Sequence, residues 1–259
     1  MAEIQTTIPE IWASIVEFVF PPICSGCGEF FDSTNGICLK CKSKMFDIPS
    51  PVCLTCDILI ESDSICSFCR KDSFPLYYIG DFTSPLREIV LDVKFHSVIT
   101  PLQYLSTKLI EKFTEQIMSL GGEFLVPVPL HSSREYFRGY NQATRFAEYI
   151  SAGLAIPLNT NSIYRVKRGR PQSRIADVSA RLKNVDGAFA AEQDEASQRL
   201  ILVDDVVTSG ATVKEAKKTL EAAGHSVVGV ISIAHGFRVT AQSGSADGLN
   251  IYKPAGGRK

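Results

Sequence analysis

Hydrophobic and polar positions follow more than one rhythm along this chain, and the changes of rhythm divide it. Ile8, Ile11, Trp12, Ile15, Val16 and Val19 recur at helical spacing, so residues Ile8 to Phe20 predict an amphipathic helix with one face that must dock. Pro21 and Pro22 end it. Residues 23–72 are poor in aliphatic side chains and carry no sustained period. From about Tyr77 the rhythm returns. Tyr77 to Phe82 predicts a strand, and Leu86, Ile89, Val90 and Val93 predict a helix face ending near Lys94 and Phe95. A second helix is predicted from about Pro101 to Leu120, with Leu102, Leu105, Leu109 and Phe113 turned inward and Gly121-Gly122 as its break. Phe124 to Pro129 predicts the next strand and Asn141 to Leu154 the next helix. Strands near Ile163 to Val166, Leu200 to Val203 and Val227 to Ala234 complete the series. This β–α alternation predicts an α/β domain, a parallel sheet with helices on both faces, over residues 73–236. In front of it stand a helix (1–22) and a cysteine-rich module (23–72). The Gly-, Ser- and Ala-bearing tail, 237–259, is expected to be disordered.

The chemistry concentrates in Leu200 to Thr212, LILVDDVVTSGAT. Leu200 to Val203 reads as a short buried strand, rich in branched side chains. Asp204 and Asp205 then fall at its C-terminal end, where open α/β sheets take their ligands. Val206 to Thr212 predicts a turn carrying Thr208, Ser209, Gly210 and Thr212. It leads into a helix with Val213, Ala216, Leu220 and Ala223 on one face. Backbone N–H groups and hydroxyls at a helix N-terminus form an anion site, and glycine lets the backbone approach closely. Carboxylates cannot hold a phosphate, so the acid pair implies a second group, either vicinal hydroxyls or a metal ion. Together the parts fit a sugar phosphate. A buried strand running into an ordinary capped helix would leave the two adjacent acids unexplained.

All eight cysteines lie between Cys24 and Cys69 as four C-x-x-C pairs: Cys24/Cys27, Cys38/Cys41, Cys53/Cys56 and Cys66/Cys69. Thioredoxin-type chemistry needs one such pair, and the spacing lets a single turn present two sulfurs to one ion, so structural zinc is the reading. Two successive four-cysteine knuckles fit the spacing, and so does an interleaved cross-brace; the successive arrangement, with two ions, is preferred. A module this poor in aliphatic side chains would not fold without metal.

Charge adds little globally, with 27 basic residues against 28 acidic. Locally it adds more: Arg134 to Lys183 holds ten Lys or Arg against three Asp or Glu, an excess of seven that would attract polyanions. No Lys or Arg precedes Lys40, which argues against a secretory or mitochondrial targeting segment, and Glu17 and Pro21 interrupt the one long apolar stretch. The expectation is a cytoplasmic protein with no membrane span.

Leu200 to Thr212 closely resembles the signature of type I phosphoribosyltransferases for 5-phosphoribosyl 1-pyrophosphate (PRPP). Three further stretches are similar to one family. VPVPLHSSREYFRGYNQA (Val126 to Ala143), RVKRGRPQSRIADVSARLKNVDGAF (Arg165 to Phe189) and LDVKF (Leu91 to Phe95) resemble motifs of the ComF family, whose zinc knuckle sits where these cysteine pairs do. The resemblance spans roughly residues 9 to 236. It implies a type I phosphoribosyltransferase fold behind a zinc module, associated with natural competence and uptake of single-stranded DNA. It implies PRPP, with Mg²⁺, on Asp204, Asp205, Val207, Thr208, Ser209, Gly210, Ala211 and Thr212. The pyrophosphate loop maps onto Pro129 to Ser133, including Pro129, Leu130 and His131, with Arg134 and Arg138 beside it. The mobile catalytic loop maps onto Arg165 to Arg181. Asp204, Asp205, Lys94, Arg168 and Arg170 are the candidate catalytic residues. His131 is read as a loop histidine making a turn hydrogen bond rather than as a general base. The family's Thr three residues before Gln172 is Gly169 here, which removes a hydroxyl from the loop meant to close over PRPP.

Three functions follow. The first is a transferase that releases pyrophosphate, catalysing mainly through Mg²⁺ and cationic residues on the leaving group. The second is a DNA-uptake protein that handles single strands alongside a competence helicase, with Tyr136, Phe137 and Tyr140 for stacking. The third is a PRPP-sensing regulator. No acceptor-specific motif is present, and only the zinc module and the tail remain to form an acceptor pocket.

Overall fold

A computed structural model describes residues 22–31, 35–45, 47–60, 65–130, 139–167, 185–193 and 196–236. The predicted N-terminal helix, residues 131–138, most of the Arg165 to Arg181 loop and the tail lie outside the described residues.

The described elements are α1 (Leu39–Lys44), β1 (Val52–Cys53), β2 (Pro75–Asp81), α2 (Leu86–Phe95), α3 (Thr100–Ser119), β3 (Phe124–Pro127), α4 (Gln142–Leu154), β4 (Ile163–Arg165), β5 (Phe189–Ala191), β6 (Arg199–Val207), α5 (Ala211–Ala222) and β7 (Ser226–His235). The main sheet runs β1-β2-β7-β6-β3. Every neighbouring pair is parallel except β1 with β2. The expected α/β architecture behind a cysteine module is therefore the one adopted.

Alternation along the strands sorts the core into two layers. Tyr77, Ile79, Ile201, Val203, Ile231 and Ile233 face α2, α3 and α4, meeting Leu86, Leu105, Phe113 and Phe146. Leu76, Tyr78, Leu200, Leu202 and Val230 face the opposite side, against Val213, Ala216 and Leu220 of α5. Pro101 occupies the first turn of α3, where its missing N–H costs nothing, and Gly121 beyond its end takes a left-handed φ of 63°.

Two strands differ from expectation. Ile163–Arg165 does not join the main sheet; it pairs antiparallel with Phe189–Ala191 as a separate hairpin. The central strand is longer than the four apolar residues implied, because Val206 and Val207 continue the ladder opposite Ala234 and His235. Asp204 and Asp205 are thus held within β6 rather than at its end. β-branched neighbours, and the pairing of Asp204, Val206 and Val207 with β7, keep that backbone extended.

The cysteine module is tied into both layers. Cys24, Ile37 and Cys41 belong to the core formed by α2 and α3. A Cβ on Gly26 would lie 2.9 Å from Cys41 Sγ and 3.0 Å from Pro85 Cβ, so the first knuckle rests directly on the β2–α2 corner. On the other side, β1 adds an edge to the sheet and Leu54 enters the α5 layer.

Candidate functional site

At the C-terminal end of the sheet, five segments converge. β6 supplies Asp204 and Asp205. The Asp204 carboxylate accepts from the Asp205 N–H at 2.8 Å, and the Asp205 carboxylate accepts from the Val206 N–H at 2.8 Å. Lys94, in the last turn of α2, places Nζ 2.8 Å from Asp205 Oδ2. Burial first, and then the adjacent Asp205 charge, push the Asp204 carboxyl up to about 7. The Asp205 N–H, Lys94 and Arg165 pull it the other way without prevailing. One acid is neutralised by a lysine; the other is crowded and short of positive charge.

After Val207 the chain turns through Thr208, Ser209 and Gly210 into α5. Gly210 is the N-cap, in a left-handed conformation (φ 69°) that favours glycine, and no side chain caps the helix. The first-turn N–H groups of α5 are therefore open to an anion. Asp204, Val207, Thr208, Ser209, Gly210, Ala211 and Thr212 line one shallow concavity there.

β3 brings in the third wall. Pro127 pairs with Val203 and the Val128 N–H donates to Val203 O at 2.8 Å, so half-buried Pro129 and Leu130 emerge beside the acid pair. Asn141 closes the loop that follows. Its Nδ2 donates to Val128 O at 3.0 Å, and its Oδ1 accepts from the Ala143 N–H at 3.0 Å as the cap of α4. Next to it the Tyr140 hydroxyl donates to Val93 O, tying the same corner to α2 one residue from Lys94.

Of the residues singled out in the sequence, Lys94, Asp204, Asp205, Val207 to Thr212, Pro129 and Leu130 are brought to one end of the sheet. His131, Arg134, Arg138, Arg168, Arg170 and Gly169 lie outside the described residues, as do Tyr136 and Phe137. Asn141 stood inside a quoted motif without being given a role, and Tyr140, expected to stack on bases, has its hydroxyl tied to Val93 O. His235 had no signal in the sequence at all. It ends β7 buried beneath the loop, with Nδ1 2.8 Å from Val207 O and its ring edge-on to Tyr78 at 5.2 Å. Burial holds its pKa below the usual histidine value, so it sits there as neutral imidazole.

The cysteines form two compact tetrads, Cys24/Cys27/Cys38/Cys41 and Cys53/Cys56/Cys66/Cys69, the ligand atoms of each within 4.8 Å of one another. The successive arrangement holds, and the interleaved one does not. The donors fit zinc. Burial opposes ionisation of Cys24, yet the backbone N–H groups of Cys38, Gly26 and Cys27 outweigh it and bring its thiol down to about 7. Cys53 is likewise brought to about 7, against burial, by the backbone at Phe74, Thr55 and Cys56. In the same clusters burial pushes Cys41 up, and the Cys56 contact pushes Cys69 up to about 12. Thiols this crowded cannot all ionise together unless a cation joins them.

Comparison with known proteins agrees with the cysteine module. Residues 15–70 match the family described as Double zinc ribbon domain. The chain is similar to "Competence protein F" of Haemophilus influenzae, 29% identical over 224 residues, covering 82% of this chain and 96% of that protein. "DNA utilization protein YhgH" of Escherichia coli K12 is 28% identical, covering 75% and 88%. "Competence protein ComFC" of Bacillus subtilis is 25% identical, covering 71% and 77%. Among solved structures, adenine phosphoribosyltransferase of Leishmania tarentolae overlaps at TM-score 0.33 and 17% identity, covering 56% of this chain and 62% of that one. Orotate phosphoribosyltransferase of Aeropyrum pernix overlaps at TM-score 0.33 and 14% identity, covering 76% and 80%. Among the described residues no helix is long and apolar enough to cross a membrane.

Proposed function

We propose that this chain, a relative of the ComF, ComFC and YhgH competence and DNA-utilization proteins, binds PRPP with Mg²⁺ and transfers its phosphoribosyl group with release of pyrophosphate. The observation that carries the reading is the acid pair held in β6 directly before an uncapped helix N-terminus, with Lys94 poised on one carboxylate. Thr208, Ser209 and the first N–H groups of α5 would take the 5-phosphate, and Asp204 and Asp205 the ribose hydroxyls. Pro129, Leu130 and the residues after them would wall the pyrophosphate.

Oxygen donors of this kind suit Mg²⁺, and the upward push on Asp204 is the cost that a nearby cation would relieve. When bound, Mg²⁺ supplies charge stabilisation for the departing pyrophosphate. The chain's own part is positional. Lys94 pairs with Asp205 and orients its carboxylate in the site. The Asn141 clamp fixes where the loop after β3 leaves and re-enters. No protein nucleophile is needed, because the sugar reacts through a cationic, oxocarbenium-like state that surrounding carboxylates stabilise.

Calorimetry of PRPP with Mg²⁺ should give binding to the native chain and none to Asp204→Ala/Asp205→Ala. Equal binding by both would remove the site. A pyrophosphate-release assay against nucleobases and amines then tests turnover.

A second reading, single-strand binding, is favoured by the hairpin of β4 and β5. Tyr164 is 47% exposed there, between strand-paired neighbours and beside Arg165 and Lys167. Its Arg165 guanidinium lies 5.2 Å over the Phe189 ring, a stacked cation of the sort that single strands use. Neutralising Arg165, Lys167, Arg168 and Arg170 should weaken binding of single-stranded DNA and flatten its salt dependence. An unchanged affinity and slope would place any DNA surface elsewhere.

A further inference from the structure

We infer that His235 and Gly236, at the end of β7, are positioning residues for the Thr208 to Thr212 loop: together they grip the Val207 carbonyl and so aim the Thr208 N–H at a bound phosphate. That this anion is the 5-phosphate of PRPP rests on the reading above; the grip itself does not.

Two donors meet on one oxygen. The Gly236 N–H donates to Val207 O at 2.8 Å, and His235 Nδ1 stands 2.8 Å from the same oxygen. A carbonyl can only accept, so the ring nitrogen facing it carries the hydrogen. Burial keeps the ring neutral, which commits its single N–H to Val207. The ring is held in place from its other sides. The His235 carbonyl accepts from the Phe82 N–H at 2.8 Å, the ring stands edge-on to Tyr78, and only 3% of the residue is exposed. His235 is not among the residues that line the concavity, so it acts on a ligand only through the loop.

The next peptide transmits the grip. Val207 O and the Thr208 N–H belong to one planar trans unit and point in opposite directions. Holding the oxygen toward β7 therefore turns the N–H away from β7, into the loop whose Thr208, Ser209 and Gly210 line the concavity. Two hydrogen bonds on the carbonyl also polarise the unit and make that N–H a stronger donor. The strand backbone supplies one of these bonds, and His235 adds the second.

Gly236 contributes by what it lacks. A Cβ there would lie 2.8 Å from Thr208 Cγ2 and 3.1 Å from Thr208 Cα, closer than a side chain can settle without moving the loop. The loop is thus seated directly on the β7 backbone.

Packing is the competing account, since a buried ring beside Tyr78 fills space whatever its nitrogens do. The two accounts tolerate different substitutions. His235→Phe keeps the ring and removes the donor; His235→Asn loses the ring and keeps an amide N–H near the Nδ1 position.

The test compares the full-length zinc-loaded native chain with His235→Phe, His235→Asn and Gly236→Ala. Nitrogen NMR of the native ring reads the tautomer, hydrogen exchange reads the Gly236 N–H that shares the acceptor, and calorimetry reads Mg-PRPP and inorganic phosphate. The expected result is an Nδ1-protonated ring, with Gly236 exchange raised about tenfold and anion affinity lowered about tenfold in His235→Phe. His235→Asn should stay within about twofold of native on both, and Gly236→Ala should lower affinity about as much as His235→Phe. The tautomer and Gly236→Ala read the grip without disturbing the packing of the ring. Phosphate binding that follows this pattern without Mg-PRPP binding would support the grip and remove the PRPP reading. Mg-PRPP binding equal in native chain and His235→Phe would remove the grip and keep that reading. An Nε2-protonated ring, loosening by Asn but not by Phe, or no binding of either anion would overturn the inference.

Discussion

Replacing Asp204 by Asn should make the ligand-free chain more stable, and more so at pH 8 than at pH 6. The reason is the environment of this carboxyl within β6. An aspartate ordinarily titrates near 3.8, and here burial and the Asp205 charge bring it to about 7. Charging it in the folded chain therefore costs about 4 kcal/mol at high pH if the whole displacement is counted. The residue keeps part of its surface and its neighbour can relax, so this is the upper figure. The sign follows from proton linkage. The folded state holds a proton that the unfolded state has already lost above 3.8, so stability falls as pH rises from there towards 7 and is level beyond it. Between pH 6 and pH 8 a single carboxyl titrating at 7 gives a change of about 1 kcal/mol. Urea unfolding of native chain and Asp204→Asn, in Mg-free buffer at both pH values with zinc retained, measures it. The amide should gain up to about 4 kcal/mol at pH 8 and about 1 kcal/mol less at pH 6, while PRPP binding is lost. An equal gain at both pH values, or a loss at pH 8, would refute the electrostatic account of this acid.

Lys94→Ala removes a charge that favours the ionised form of Asp204 and pairs with Asp205. PRPP calorimetry over a pH series should show weaker binding whose onset moves to higher pH. Asn141→Ala loses both the α4 cap and the tie to Val128 O; it should cost about 1–2 kcal/mol in urea unfolding. Zinc analysis should give two ions per native chain and one for Cys53→Ser, with the first tetrad intact. Since β1 begins at Val52 and Leu54 packs 3.6 Å from where a Gly210 Cβ would be, that variant should also weaken PRPP binding severalfold.

Much of this protein is determined locally. The four C-x-x-C pairs define the zinc module because thiolate spacing within one turn decides what a single ion can reach. The apolar run before Asp204 and Asp205, with Gly210 and the hydroxyls after it, marks the site because the backbone conformation of a strand–loop–helix is written in neighbouring residues. The α/β class follows from period alone. What only the tertiary structure decides depends on contacts between distant residues. Whether β6 stops at Asp204 and Asp205 or runs past them is settled by β7, whose Ser232 to His235 extends the ladder through Val207. Whether Ile163–Arg165 joins the sheet is settled by Phe189–Ala191. The choice between successive and interleaved tetrads, the Lys94–Asp205 pair and the burial of His235 all arise from packing across dozens of residues. So does the double hold on the Val207 carbonyl, whose donors lie at the end of another strand. The sequence names these side chains, and the anchored knuckles and sheet register bring them together.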